Sequence, residues 1–312
     1  MGISNDCAIP KVHELTSDDI RVLAQKLPFP QADANKYSRG TLTLIAGSRA
    51  YPGAACLSAR AAQRMGAGYV RVVVPASIRN LVLSSGPSLV VQNRKKWDPF
   101  SLEAHDPGHP GAVCIGPGFD AHDMRAEGLL RDVLEHASCP VVVDGAALSF
   151  LSSDVARALL KERFVSGRET LVTPHGGEAE RMARPLALPT DDPERLAALL
   201  SLALGVVVVL KGPDTFVSDG ECTFAMTEGT ASLAKAGTGD VLAGMIGALL
   251  AQGQPLLQAG LLGALLHARA GKAASARFTS IGVRAEDVCE CIPEAIVDLT
   301  SAQCPQTDSA AL

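Results

Sequence analysis

The chain lacks a strong charge of either sign. Its 312 residues hold 28 lysines and arginines against 33 aspartates and glutamates, a formal net charge of −5. No general nucleic-acid footprint follows, so an anionic ligand would need local help from backbone amides or a placed lysine. The chain also lacks an apolar run that fits a bilayer. Its most apolar stretch, Leu196 to Leu210, has fifteen residues with Gly205 inside and Arg195 and Lys211 at its ends. A span needs about 20, so this stretch reads as a helix (Leu196 to Leu204) and a buried strand (Val206 to Leu210). The N-terminus, with Asn5 and Asp6, has no apolar core behind a basic segment and so lacks a secretion signal. These absences predict a soluble, cytoplasmic protein with neither nucleic-acid nor membrane partners.

Cysteine pairs are missing too. None of the 8 cysteines forms a CxxC motif. Cys289 and Cys291 are one residue apart, but no second cysteine or histidine pair accompanies them, so a metal site is not expected there. Free, mostly buried thiols in a reducing compartment are expected instead. No repeat, linker or low-complexity boundary appears. The expectation is one domain over residues 1–312, with a helical extension at 1–35 and a frayed polar tail at 301–312.

What the chain does have is an alternation of strand and helix. With 47% hydrophobic and 20% charged residues it can bury a substantial core. Thr41 to Ala46, Tyr69 to Val74, Ala112 to Ile115, Pro140 to Val143, Thr170 to Thr173 and Val206 to Leu210 read as strands. Their Val and Ile runs lack polar alternation, as in a parallel sheet covered on both faces. Ala54 to Met65, Val241 to Ala251 and Pro255 to Ala276 read as helices. Thr215 to Ser218 and Glu221 to Ala225 flank Asp219-Gly220, which predicts a type I′ hairpin and an antiparallel end to the sheet. The fold class is therefore α/β, with a mainly parallel sheet between helices.

Five loops carry candidate chemistry. Gly237, Thr238, Gly239 and Asp240 form a Gly-rich turn into an apolar helix, whose first amides have no internal partner and favour phosphate. Asp240 there is either a helix cap or a base that takes a hydroxyl proton during phosphoryl transfer. His175 follows the strand Thr170 to Thr173, at the sheet edge where α/β proteins bind ligands, and Glu178 falls in the next helical turn. His175 could bond a substrate and Glu178 could hold water around magnesium; the alternative is a capped helix with a solvated histidine. Lys211, delivered by a buried strand, opens the turn Gly212, Pro213, Asp214 and Thr215. It is either a phosphate ligand or a surface lysine. Gly116-Pro117-Gly118 and Gly53-Ala54 follow two further strands, as ligand loops or as structural turns.

Taken together and in order, these residues resemble the NAD(P)H-hydrate dehydratase family, a branch of the ribokinase superfamily. The likeness runs from about Tyr37 to Ala276. It rests on Lys36 and Gly40, Ala46-Gly47-Ser48, Gly53-Ala54, Gly66-Ala67-Gly68, Gly116-Pro117-Gly118, Val143-Asp144, Thr173-Pro174-His175 with Glu178, Leu210-Lys211-Gly212, Ala236 to Leu242 and Gln252-Gly253. The resemblance implies a ribokinase-like three-layer sandwich and repair of NADHX and NADPHX, the hydrated forms of the reduced cofactors. A nucleotide phosphate would pass to the added hydroxyl and then leave, restoring NADH or NADPH. Asp240 would be the catalytic base, and Ala54, Gly118, His175 and Asp240 would bind the hydrated dinucleotide. Lys211, Gly212, Pro213, Asp214, Thr215, Gly237, Thr238 and Gly239 would hold ADP or ATP, with Mg2+ alongside and ADP favoured. A separate epimerase and a homotetramer are also implied.

The chain departs from the family at two places. Where the family has Asp-Ala-Asp-x-Leu-Asn, this sequence reads Asp144 to Ser149, with Ala146 and Ser149 replacing polar groups. The stretch before the Gly-rich turn reads Met226 to Thr230 in place of an Asn-x-Thr-Gly-Asn-like run. The rival readings are a superfamily kinase of a small vitamin-precursor alcohol and a silent nucleotide sensor. His175, where such kinases often have Asn, and the Lys211-Gly212 loop speak against the kinase. Asp240 speaks against the sensor.

Overall fold

A computed structural model describes residues 12–103, 108–123 and 125–301. Ten strands form one sheet: β1 (Val12–Glu14), β2 (Thr41–Ile45), β3 (Tyr69–Val74), β4 (Val90–Asn93), β5 (Gly111–Ile115), β6 (Val141–Val143), β7 (Thr170–Val172), β8 (Val207–Leu210), β9 (Thr215–Ser218) and β10 (Thr223–Met226). Their order is β1-β10-β9-β8-β7-β6-β5-β2-β3-β4. Neighbours are parallel except β9, which is antiparallel to both β8 and β10.

The helices are α1 (Ser17–Gln25), α2 (Pro52–Arg64), α3 (Arg79–Ser85), α4 (Arg125–His136), α5 (Asp154–Val165), α6 (Gly176–Ala183), α7 (Pro193–Leu204), α8 (Thr238–Ala251), α9 (Leu256–Gly282) and α10 (Ala285–Ser301). One apolar core joins α2, α8, α9 and α10 to the first sheet face, and a second joins α4 to α7 to the other. The continuous Val and Ile runs exist because each central strand is buried on both sides. Helix α8 is buried nearly all round. It lies close on α2: a Cβ at Gly244 would stand 2.2 Å from the Ser58 carbonyl oxygen.

Three expectations are corrected. Residues 1–35 were expected to be helical; of the described part, Val12–Glu14 is a strand that pairs in parallel with β10, and only then comes α1. The edge of the sheet is therefore β1 and not the hairpin. The hairpin turn is longer than the two residues of a type I′ turn, because Ser218 pairs with Thr223. Asp219 organises it, its carboxylate accepting from the amides of Glu221 (2.9 Å) and Cys222 (2.7 Å). Helix α9 runs on past Ala276 to Gly282, with a break at Thr279, where φ is 63°. The expected polar tail lies, beyond Ser301, outside the described residues. No helix of the described residues is long and apolar enough to cross a membrane.

The sheet places the loops. β2 leads outward to β3 and β4, and the chain then returns to β5 on the other side of β2. That reversal opens a crevice past the C-terminal ends of β2 and β5, where α/β sheets bind ligands.

Candidate active site

The parallel ladder continues past the strand ends and fixes the loops one against the next. Gly116 donates to the Ile45 carbonyl (3.1 Å), Asp144 to Ile115 (3.0 Å), Thr173 to Val143 (3.1 Å) and Lys211 to Pro174 (2.8 Å). Each of these residues follows its own buried strand, so the site is a row along one sheet edge.

At the crevice the Gly47 amide donates to the Pro117 carbonyl (2.8 Å). Gly118 has φ +66°, and a Cβ there would stand 2.4 Å from the Ala54 Cβ and 2.7 Å from the Tyr51 carbonyl oxygen. Only glycine fits. Ala54 and Gly118 are thus in contact. Arg94, in a basic stretch with no motif around it, ties this corner together. Its guanidinium donates to the carbonyls of Ala46 (3.2 Å) and Gly47 (2.8 Å) and lies 4.9 Å from the Phe119 ring centroid.

The first turn of α8 faces the other half of the row. Gly237 is left-handed, with φ 95°, and a Cβ on it would meet Leu57 of α2 at 2.7 Å. The turn leaves the Gly239 and Asp240 amides without a helical acceptor. The Thr238 hydroxyl points inward, donating to the carbonyls of Leu233 (2.7 Å) and Lys235 (2.9 Å). Thr238 therefore offers an anion no side-chain donor, and its amide donates to the Lys235 carbonyl (3.4 Å). A Cβ on Gly239 would lie 3.4 Å from Lys211 Nζ. The turn thus abuts the helix that carries Ala54 on one side and Lys211 on the other.

Lys211 is not a free surface lysine. Its Nζ donates to Asp144 Oδ1 (2.9 Å), and the Thr173 hydroxyl donates to the same oxygen (2.6 Å). Asp144 and Thr173 are buried. Burial works against the Lys211 charge, but Asp144, Glu178 and Asp240 outweigh it and hold its pKa above the ordinary lysine value. Asp240 is pushed up to about 7, first by burial and then by Asp144, with Lys211 opposing. A carboxyl poised near neutrality is what a general base requires. The sequence could not show this cluster: the Asp144–Lys211 contact joins residues 67 apart. A carboxylate directly after a buried Val-Val-Val strand at the ligand-binding edge was the available signal.

Both readings of Glu178 bear on its geometry. It caps α6, its Oε2 accepting from the His175 amide (2.9 Å), with Oε1 3.5 Å from His175 Nε2. His175 itself is half exposed and forms a bridge with Lys211. In the 211–215 loop, Thr215 is buried at the start of β9 and Asp214 is exposed. The Pro213 carbonyl oxygen lies 2.7 Å from a Cβ position on Gly229. The altered stretch at Met226 to Thr230 is held from behind, with Glu228 bound by Arg269 (3.0 Å) and Lys272 (3.2 Å). Ser149 donates to the Ala146 carbonyl (2.7 Å), within a short 3-10 turn. Cys289 and Cys291 are buried in α10, and no described group of three or more His, Cys, Asp or Glu could hold a metal ion.

A three-layer sandwich with this strand order defines a ribokinase-like α/β protein. Solved structures agree on the fold: ribokinase from Thermotoga maritima superposes with TM-score 0.51 at 12% identity, covering 82% of this chain and 99% of that one. The chain belongs to the NAD(P)H-hydrate dehydratase family, whose model matches residues 42–294. It is similar to the ADP-dependent (S)-NAD(P)H-hydrate dehydratase of Xanthomonas campestris, 31% identical over 91% of this chain and 96% of that protein. The Natrialba magadii protein of the same name is 34% identical over 82% of this chain and 92% of its own. The bifunctional NAD(P)H-hydrate repair enzyme Nnr of Synechocystis is 34% identical over 82% of this chain, which spans 48% of that enzyme's length. An ADP/ATP-dependent NAD(P)H-hydrate dehydratase from Bacillus subtilis, crystallised with ATP/Mg2+ and soaked with CoA, superposes with TM-score 0.75 at 25% identity, covering 94% of this chain and 99% of that one.

Proposed function

We propose that this protein dehydrates NADHX and NADPHX back to NADH and NADPH with ADP, or ATP, as phosphate donor. The observation that carries the reading is Asp240, a carboxyl with its pKa near 7 in the first turn of an anion-binding helix, in a chain of this family. The hydroxyl proton of the hydrated ring passes to Asp240 as its oxygen attacks the terminal phosphorus, and the bond from that phosphorus to the bridging oxygen breaks, releasing AMP from ADP or ADP from ATP. The Gly239 and Asp240 amides and Lys211 offset the charge on the moving phosphoryl group. The C–O bond then breaks as phosphate leaves, and the neighbouring ring carbon loses a proton. Hydride does not move, so the enzyme is a lyase.

Ala54, Gly118 and His175 are assigned to the dinucleotide, and the loop from Lys211 to Thr215 with Gly237 to Gly239 to the adenine nucleotide. The crevice between β2 and β5 and its contact of Ala54 with Gly118 support the first assignment. The closeness of Lys211 to Gly239 supports the second. The donor set suits a magnesium ion that arrives hydrated on the nucleotide, since Mg2+ keeps several waters and binds mainly through phosphates. Glu178 would reach it through water, and the ion's contribution would be to neutralise phosphate charge. ADP is the favoured donor, in keeping with the names of the Xanthomonas and Natrialba proteins. The enzyme is proposed to act in the cytoplasm as a homotetramer, with a separate epimerase converting the other epimer of the substrate.

The test is recovery of dihydronicotinamide absorbance from acid-hydrated NADH with magnesium and either ADP or ATP. Recovery that requires a nucleotide is expected. A stable phosphoester, without recovery, would make the protein a kinase instead.

A further inference from the structure

We infer that Asp144 is a positioning residue: clamped by Thr173, its carboxylate aims the Lys211 ammonium at the first turn of α8 and sets the charge under which Asp240 works as a base. The inference rests on the reading of Asp240 as the base. Three buried or half-buried groups come together here, two carboxylates and one ammonium. Asp144 Oδ1 takes both the Thr173 hydroxyl at 2.6 Å and Lys211 Nζ at 2.9 Å. The Thr173 hydroxyl thus holds that carboxylate oxygen from the neighbouring strand's end. Lys211 Nζ, held from the sheet side, lies 3.4 Å from the Cβ position of Gly239, one residue before Asp240.

The energetic consequence follows from who neutralises whom. An unpaired lysine beside Asp240 would favour the ionised carboxylate and make it a weak base. Asp144 takes up that charge and adds a second negative one, so burial prevails and Asp240 stays near neutrality. Other charges around α8 are occupied elsewhere. Arg60 and Arg64 of α2 pair with Glu290 of α10. Arg269, Lys272 and Arg277 of α9 pair with Glu228, Asp298 and Glu294. Glu286 and Asp287 of α10 face Arg284 and Lys235. From β5, the Cys114 thiol is kept protonated by burial, Asp144 and Asp240. From α9, His267 is kept neutral by burial. Glu178 of α6 acts on Lys211. Asp144 and Lys211 are thus the charges that govern Asp240.

The experiment follows the Asp240 side-chain carboxyl carbon by NMR in protein carrying 13C-labelled aspartate, assigned by its loss in Asp240→Asn. Asp144→Asn should move the Asp240 titration down by about one pH unit or more, because Lys211 is left with its full charge. Lys211→Gln should move it up. Thr173→Val keeps the ion pair and loses the clamp; it should shift the titration downward by less than Asp144→Asn does. A merely structural Asp144 would lower stability without moving the Asp240 titration. An unchanged midpoint in folded Asp144→Asn, or shifts of the same sign in Asp144→Asn and Lys211→Gln, overturns the inference. Should Asp144→Asn not fold, an unshifted Lys211→Gln overturns it as well. The titration needs no substrate, so absence of dehydratase activity in the wild type would count against the proposed function and leave this test standing.

Discussion

Asp240 holds a proton over the range in which an ordinary aspartate has lost one, and two predictions follow from that. As the base it must be ionised, so kcat/KM should rise with pH through about 7 on its acid limb; a rate flat from pH 5 to 8 would remove it as the base. The raised value also sets a sign for stability. The folded state binds the proton more tightly than the unfolded state, so the group's stabilising effect is fully present below about 3.8 and is lost as pH rises through about 7. Asp240→Asn should therefore nearly abolish turnover, leave nucleotide binding largely intact and raise stability at pH 8 by on the order of 2 kcal/mol. Denaturant unfolding at pH 5 and pH 8 checks this, the gain being clearly larger at the higher pH. Lys211→Ala should weaken nucleotide binding more than binding of the hydrated dinucleotide, read by titration with each ligand. It also leaves the buried Asp144 carboxylate unpaired, at a cost of about 3 kcal/mol; equal losses of affinity for both ligands would remove its phosphate role.

Among the elements, those legible in the sequence were the ones whose hydropathy had one explanation. The Val runs of β3, β6 and β8 and the all-round apolar α8 announced themselves, and so did the glycines that start α8. Other elements were not legible, for identifiable reasons. The three residues of β1 include His13 and Glu14, and become a strand only because the free edge of β10 accepts them. The hairpin turn is not legible because the Asp219 side chain stabilises a longer loop than Asp-Gly alone suggests. Arg163 near the end of α5 would read as a surface charge on a helix, yet it is fully buried. Its guanidinium donates to the carbonyls of Leu134, Ala137, Cys139 and Glu169 and to the Thr170 hydroxyl, stapling α4 and α5 to the start of β7. Arg163→Met should cost about 3–5 kcal/mol, since it strips several buried carbonyls of their donor at once. A urea midpoint within error of wild type would show that water replaces the guanidinium there.

Across the whole molecule, the proposed nucleotide site joins parts that the fold keeps on different layers. The Lys211 loop leaves the sheet, and the Gly237–Asp240 turn heads a helix packed on one of its faces. A nucleotide bound there contacts structure that must be present all at once, so its binding energy should appear as global stability. At a hundredfold excess over Kd the linkage is worth about 2.7 kcal/mol. With an unfolding entropy of roughly 2.1 cal/mol/K per residue, a chain of 312 residues should gain about 4 °C in Tm. Differential scanning fluorimetry with ADP and magnesium should give that rise in wild type and in Asp240→Asn alike, and a smaller one in Lys211→Ala. A rise confined to wild type would make Asp240 a nucleotide ligand instead of a base. No rise in any of the three would take the nucleotide away from this edge of the sheet.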